Sequence, residues 1–297
     1  WGMGDVLEGV ATFGALVAYI QFINMLFRPI RQLADRFNVL QMGMVSSERV
    51  FKVLDTEASI RDTGTHGTQD LRGDLRFDKV SFAYDDEQFV LKDISFEAKA
   101  GEMVALVGAT GSGKSSIVNV LSRAYEFQQG HVFLDGTDIR EYALPALRSS
   151  IAVVLQDVFL FSDSIHNNIT LYDPAISRAE VVEAAKAVGA HDFIQRLPEG
   201  YDTDGRERGS MLSVGQRQLL AFIRAYVHKP RILVLDEATA SIDSYTEQQI
   251  QKALAVLLKG RTGLVIAHRL ATIRNADRIM VLQNGVLIES GNHDALM

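Results

Sequence analysis

The stretch Gly108-Ala-Thr-Gly-Ser-Gly-Lys-Ser115 constrains the fold more than any other part of this chain. It follows the apolar run Met103 to Val107 and leads into a helical pattern from Ser115 to Leu121. Strand, glycine-rich turn and helix in that order form the context in which the pattern G-x-x-x-x-G-K-[ST] binds phosphate. Glycines at 108, 111 and 113 let backbone N–H groups turn inward without a Cβ in the way. The helix that follows adds unpaired N–H groups and the positive end of its dipole. Gly108, Ala109, Thr110, Gly111, Ser112, Gly113, Lys114, Ser115 and Ser116 are therefore the candidate phosphate cradle. Lys114 is placed to reach the β- and γ-phosphates of a nucleotide. Ser115 offers a hard oxygen to Mg²⁺.

Further apolar runs end in a polar residue. Ile151 to Leu155 precedes Gln156, Ile232 to Leu235 precedes Asp236, and Leu264 to Ala267 precedes His268. Runs of this kind suit strands buried on both faces of a parallel sheet, and ligands of such sheets bind at the carboxyl ends of the strands. The expected class is α/β, with Gly108, Gln156, Asp236 and His268 converging on one site. Neighbouring residues leaving a strand point in different directions, so Asp236 and Glu237 should do different work. Asp236 suits Mg²⁺, and Glu237 suits orienting and deprotonating an attacking water. Gln156 is placed to sense Mg²⁺ and that water, and His268 to contact the γ-phosphate; taken singly, each also reads as an ordinary strand-end polar residue. A second stretch, Leu212-Ser-Val-Gly-Gln216, precedes an apolar helical pattern through Val227. Ser213 and Gln216 form a capping box, which defines a helix N-terminus; a plain capped helix and an anion site both fit it.

The N-terminal region has a different pattern. Val10 to Phe27 is 18 residues without charge, enough at about 1.5 Å per residue to cross roughly 27 Å of hydrocarbon. Asp5 and Glu8 precede it and Arg28, Arg31 and Arg36 follow, which puts its C-terminal end on the cytoplasmic side. Those flanks, with no cleavage site, argue against a signal peptide. Gln21 and Asn24 share a helix face and suit either a polar path or interhelical hydrogen bonds. Residues 28–54 continue a helical stripe through Leu33, Phe37, Leu40, Met44, Val50 and Leu54, with Pro29 a point for a kink. Residues 55–70 are polar, turn-rich and aperiodic, as in a linker. A start at Trp1 and an end in what reads as a first helical turn are expected of a fragment. The net charge of −7 provides no basic surface for nucleic acid. The absence of cysteine excludes disulfides, thiolate zinc sites and a cysteine nucleophile.

Taken together, GATGSGKS, Gln156, LSVGQ, ILVLDEAT, Ser241-Ile-Asp243 and His268 have the order and spacing of an ATP-binding cassette (ABC) ATPase, which the chain resembles from Leu71 onward. They look like its Walker A, Q-loop, signature, Walker B, D-loop and switch histidine, with Tyr84 similar to its adenine-stacking aromatic. The resemblance implies a P-loop NTPase of the ABC type at 71–297, with a parallel core sheet, an antiparallel β subdomain and a helical subdomain at about 157–225. Residues 1–54 resemble the last membrane helix and cytoplasmic extension of an exporter half-transporter of the multidrug or lipid type. Asp204 to Gly209 looks like the loop that exporters place near the partner's membrane domain. ATP and Mg²⁺ are the implied cofactors, and a second half-transporter chain and membrane lipid the implied partners. The protein would then sit in the cell (inner) membrane, multi-pass over its full length, with the ATPase part cytoplasmic.

In that family two ATPase domains pair head to tail, so Ser213, Val214, Gly215, Gln216 and Asp243 would act in trans on the partner's ATP. Val214 stands where the family's signature has glycine, and a β-branched residue is bulkier there. Valine-bearing signatures are similar to those of exporters that pair two different chains. A heterodimer is therefore the expectation, with a homodimer as the alternative. A soluble ABC ATPase of DNA repair or translation, and a P-loop kinase, are the readings from other classes.

Overall fold

The computed structural model describes residues 4, 9, 12–58, 60–68, 70–85, 88–206, 209–237, 244–267 and 270–297. The chain divides into two units, at residues 1–59 and 60–297.

Among its described residues the first unit is dominated by the long helix α1 (Phe13–Leu54). Thr12 caps it by accepting from the Ala15 N–H, and the helix continues through Pro29 to Leu54. It is long and apolar enough to cross a membrane, and no residue of it is buried within the structure. The Asn24 carboxamide donates to the Ile20 carbonyl of the same helix.

The second unit holds two sheets. The antiparallel one, in the order β2–β1–β4–β5, is made of β1 (Leu75–Ala83), β2 (Phe89–Ala98), β4 (Gln129–Leu134) and β5 (Thr137–Asp138). The larger one, in the order β10–β9–β3–β8–β7–β6, is made of β3 (Met103–Val107), β6 (Ile151–Val154), β7 (Ile232–Glu237), β8 (Thr262–Ala267), β9 (Arg278–Gln283) and β10 (Val286–Gly291). Its strands are parallel except at the β9–β10 hairpin. Strand β6 stops one residue short of the apolar run that predicts it. Strand β7 instead runs two residues past Leu235, because Asp236 and Glu237 keep ladder partners at Ile266 and Ala267.

The helices are α2 (Lys114–Leu121), α3 (Leu144–Ser150), α4 (Ile165–Thr170), α5 (Arg178–Val188), α6 (His191–Gln195), α7 (Val214–Val227), α8 (Ser244–Leu258), α9 (Leu270–Asn275) and α10 (His293–Leu296). Side-chain alternation along the large sheet divides the interior into two cores. Val104, Leu106, Ile232, Val234, Leu264 and Ile266 pack with the small sheet and α2. Ala105, Leu233, Leu235, Val265 and Ala267 pack instead with α5, α7 and α8. Both faces of each central strand are therefore buried, which is why these segments read as continuous apolar runs rather than alternating ones.

The segment after α1 has no helix but is held down from residue 61 onward. Arg123 donates to the Arg61 carbonyl, and the Asp62 carboxylate accepts from the Leu144 N–H at the start of α3. The N–H groups of Thr65 and His66 both donate to the Glu141 carbonyl.

Candidate nucleotide site

The order of the large sheet puts β3 at its middle, between β8 and β9, so the loop after β3 stands at the carboxyl ends of parallel strands. The loop is tight because its glycines permit close approach. A Cβ on Gly108 would lie 2.3 Å from the Leu282 carbonyl oxygen. Gly113 has a φ of 107°, and a Cβ there would meet the Leu91 side chain at 2.8 Å. Helix α2 then begins at Lys114 with no side-chain cap, which leaves its first N–H groups for an anion.

A cleft of about 450 Å³ opens at this point. Thr110, Gly111, Gly113, Lys114, Ser115 and Ser116 line it from the loop, with Tyr84 and Val90 from the small sheet. Gln156, just after β6, and Asp236 and Ile266 complete it. Asp236 shares the sheet face of Ile232 and Val234, the face on which α2 packs. The Lys114 ammonium is buried and donates to the carbonyls of Gly108 and Ala109, each at 2.9 Å. Burial pushes its pKa below the ordinary lysine value, against the attraction of Asp236. The structure thus holds a buried cation at the mouth of a glycine-rich turn, bonded to main-chain carbonyl oxygens.

Fit to Mg²⁺ follows from the donor chemistry. Ser115, Gln156 and Asp236 bring hard oxygens to one cleft. Among the described residues no group of three or more His, Cys, Asp or Glu side chains is arranged for a metal. A cation bound through one or two protein oxygens plus substrate phosphates is what Mg²⁺ prefers.

Other sequence-derived positions fall elsewhere. Ser213, Val214, Gly215 and Gln216 do not line the cleft. They begin α7, where both capping-box bonds form: Gln216 N–H to Ser213 Oγ at 3.2 Å and Ser213 N–H to Gln216 Oε1 at 2.9 Å. Val214 is 48% exposed at the first helical position. Of Glu237 only the backbone is described, as the last residue of β7. His268, residues 238–243 including Asp243, and Glu207 and Arg208 lie outside the described residues. Sequence reasoning missed Val90 and Ile266 in the cleft. Ile266 was legible as the apolar residue two before His268, but nothing local marks Val90.

A larger cavity of about 510 Å³ lies beside α7, between Arg148, Phe159, Arg224 and His228. Its two arginines are engaged by main-chain carbonyls. Arg224 donates to Asn168 and Phe159, and Arg148 to Ser122 and Arg123.

A glycine-rich turn on a central parallel strand, a buried lysine behind it, and a carboxylate and a carboxamide at neighbouring strand ends define a P-loop nucleotide-binding protein. Residues 91–240 match the ABC transporter family, and the chain belongs to that family. It is 47% identical over 299 residues to the uncharacterized ABC transporter ATP-binding protein YknV of Bacillus subtilis, covering all of this chain and 49% of the relative. It is 42% identical over 299 residues to the ATP-dependent lipid A-core flippase of Syntrophus aciditrophicus, again 49% of that protein. A solved structure of a bacterial Atm1-family ABC exporter with ATP bound superposes with a TM-score of 0.79 at 40% identity, over 97% of this chain and 50% of that one. The chain thus spans about half the length of the curated relatives it matches. Because these relatives match along the membrane-length helix as well as the ATPase part, the soluble-ATPase and kinase readings are set aside.

Proposed function

We propose that this chain is the C-terminal part of an ABC exporter half-transporter, which binds and hydrolyses ATP to drive a substrate out across the cell membrane. In this reading residues 1–54 end the membrane domain, with the span at about 10–27 and a cytoplasmic extension at 28–54. Residues 55–70 join it to the nucleotide-binding domain at 71–297, whose helical subdomain covers about 157–225. One observation carries the reading: Lys114, Ser115, Gln156 and Asp236 meet in one cleft of a chain that also holds a membrane-length helix.

ATP lies with its base beside Tyr84 and its phosphates along residues 108–116, where Lys114 meets the β- and γ-oxygens. Ser115, Asp236 and Gln156 would hold Mg²⁺, which would supply charge neutralisation to the phosphates. Glu237 orients and deprotonates the water that attacks the γ-phosphorus, and His268 contacts the transferred phosphoryl group. The oxygen bridging to the β-phosphate leaves with ADP. Positioning and charge stabilisation do most of this work. Replacing Glu237 by Gln should leave ATP binding intact and cut turnover by about 10² or more. Unchanged turnover would remove Glu237 from the role of base.

Helix α7 supports an action in trans. Its first N–H groups lie away from the chain's own cleft, and Ser213 satisfies only that of Gln216. Ser213, Val214, Gly215 and Gln216, with Asp243, would close over ATP held by a second chain. ATP then acts as an adhesive between the two domains, and its differential affinity for the closed pair shifts the membrane helices. The side chain of Val214 occupies space that glycine leaves open, which favours a heterodimer in which this signature serves a weaker site. Purified alone, the protein should hydrolyse ATP slowly and gain activity when co-expressed with its partner half-transporter. Robust turnover by the homodimer would refute that assignment.

A further inference from the structure

The aromatic that would meet the base is not a free side chain. Tyr84 follows β1 and is 48% exposed, yet its hydroxyl is tied to α2, the helix that opens the phosphate site. The Asn119 carboxamide donates to the Tyr84 hydroxyl oxygen at 3.0 Å. The same hydroxyl shares a second hydrogen bond with Ser116 Oγ, 3.1 Å away, and a hydroxyl can serve both partners because it has one proton and two acceptor lone pairs. Two rings brace the other end. Phe82 lies 4.7 Å from the Tyr84 ring centroid at an interplanar angle of 76°, and Tyr125 lies 4.9 Å away at 88°. Edge-to-face pairs of this kind are favourable beyond their buried area. A side chain fixed before its ligand arrives loses less freedom on binding.

From this geometry we infer that Asn119 is a positioning residue for nucleotide recognition. Its hydrogen bond, relayed through Tyr84 to Ser116, holds the aromatic ring in place and couples the base platform to the phosphate-binding helix. The inference rests on the reading of Tyr84 as the residue that stacks on the base. Asn119 touches no nucleotide itself; it acts through Tyr84.

The test compares equilibrium binding of Mg·ATP and of Mg·tripolyphosphate, which lacks a base, to the full chain and its variants. Tyr84→Phe keeps the ring and removes the tether, so it should weaken ATP about three- to tenfold, the freedom of one ordered side chain. Asn119→Ala should weaken ATP by a similar factor, and the double variant no further than either single one. Tripolyphosphate should bind all three as it binds the parent. ATP binding by Asn119→Ala and Tyr84→Phe at the parental Kd would overturn the inference. So would strictly multiplicative effects, or an equal loss of tripolyphosphate. Tyr84→Ala separates the two levels: if that variant too binds ATP normally, the stacking role of Tyr84 falls. If it binds weakly while Asn119→Ala is normal, only the positioning role falls. Tyr84→Phe preserves shape and packing, and thermal unfolding without nucleotide verifies that each variant is folded.

Discussion

Replacing Lys114 by Met should separate the stability of the protein from its affinity for nucleotide. In the structure the ammonium is buried against the carbonyls of Gly108 and Ala109 at 2.9 Å, with Ser112 Oγ at 3.4 Å. Two effects on folding then oppose one another. The variant loses hydrogen bonds to a charged group, each contributing about 1.5–3 kcal/mol, but regains the several kcal/mol of desolvation that a buried cation costs. The difference should be within about 1 kcal/mol, a shift of a few degrees in Tm for a domain of this size. Binding has no such compensation. Phosphate oxygens that met an ammonium would meet a thioether, and about 2–4 kcal/mol should be lost, roughly 30- to 1000-fold in Kd. Thermal unfolding of parent and variant over a titration of Mg·ATP reads both quantities. The parent should gain Tm with ATP as linkage requires, and the variant should start from nearly the same Tm and gain little. A variant that retains the full ATP-dependent gain would refute the placement of Lys114 on the phosphates. One whose nucleotide-free Tm collapses would refute the balance of terms.

Three further outcomes follow from the geometry. Gly113→Ala should destabilise the nucleotide-free protein by about 1–3 kcal/mol in urea unfolding, because Leu91, 2.8 Å from the new Cβ, is fully buried and φ is 107°. Ser213→Ala should cost about 1 kcal/mol, the usual loss at an N-cap, and Ser213→Gly only a few tenths; equal losses would count against the cap. His228 and His166 should make the fold acid-sensitive. Burial is the main cause that lowers the pKa of each below 6.5, joined by Arg224 at His228 and by Arg178 at His166, while Asp173 and Asp202 oppose it respectively. The folded state therefore binds fewer protons than the unfolded one, so this stability is complete above 6.5 and is lost as pH falls through the lower folded values. Urea midpoints should drop between about pH 7 and pH 5, and a His166→Gln, His228→Gln double variant should flatten that drop; a parent with a flat profile refutes it.

Local chemistry made much of the site legible. The turn at 108–113 and the start of α2 depend on glycine backbone freedom and helix-end N–H groups, which belong to consecutive residues. The capping box of Ser213 and Gln216 reads directly from a spacing of three, and both its bonds form. Asp236 was foreseen at the end of an apolar run, but its sheet face was not. Strand alternation fixes that face only once the strand's true end and its β8 partners are known.

What the sequence determined by itself, then, was a strand, a phosphate-binding turn, a capped helix and one helix of membrane length, because each rests on contacts within a few residues or on the period of apolar residues. Only the tertiary structure decided that β3 stands at the middle of its sheet and that Val90 and Ile266 join Gln156, Asp236 and Tyr84, which the sequence had already directed to one site, in the cleft of Lys114. It alone bound the hydroxyl of Tyr84 to Asn119 and Ser116, 35 and 32 residues away. Pairings at that range are set by sheet order and by packing of the two cores against opposite sheet faces, and no local pattern of residues encodes them.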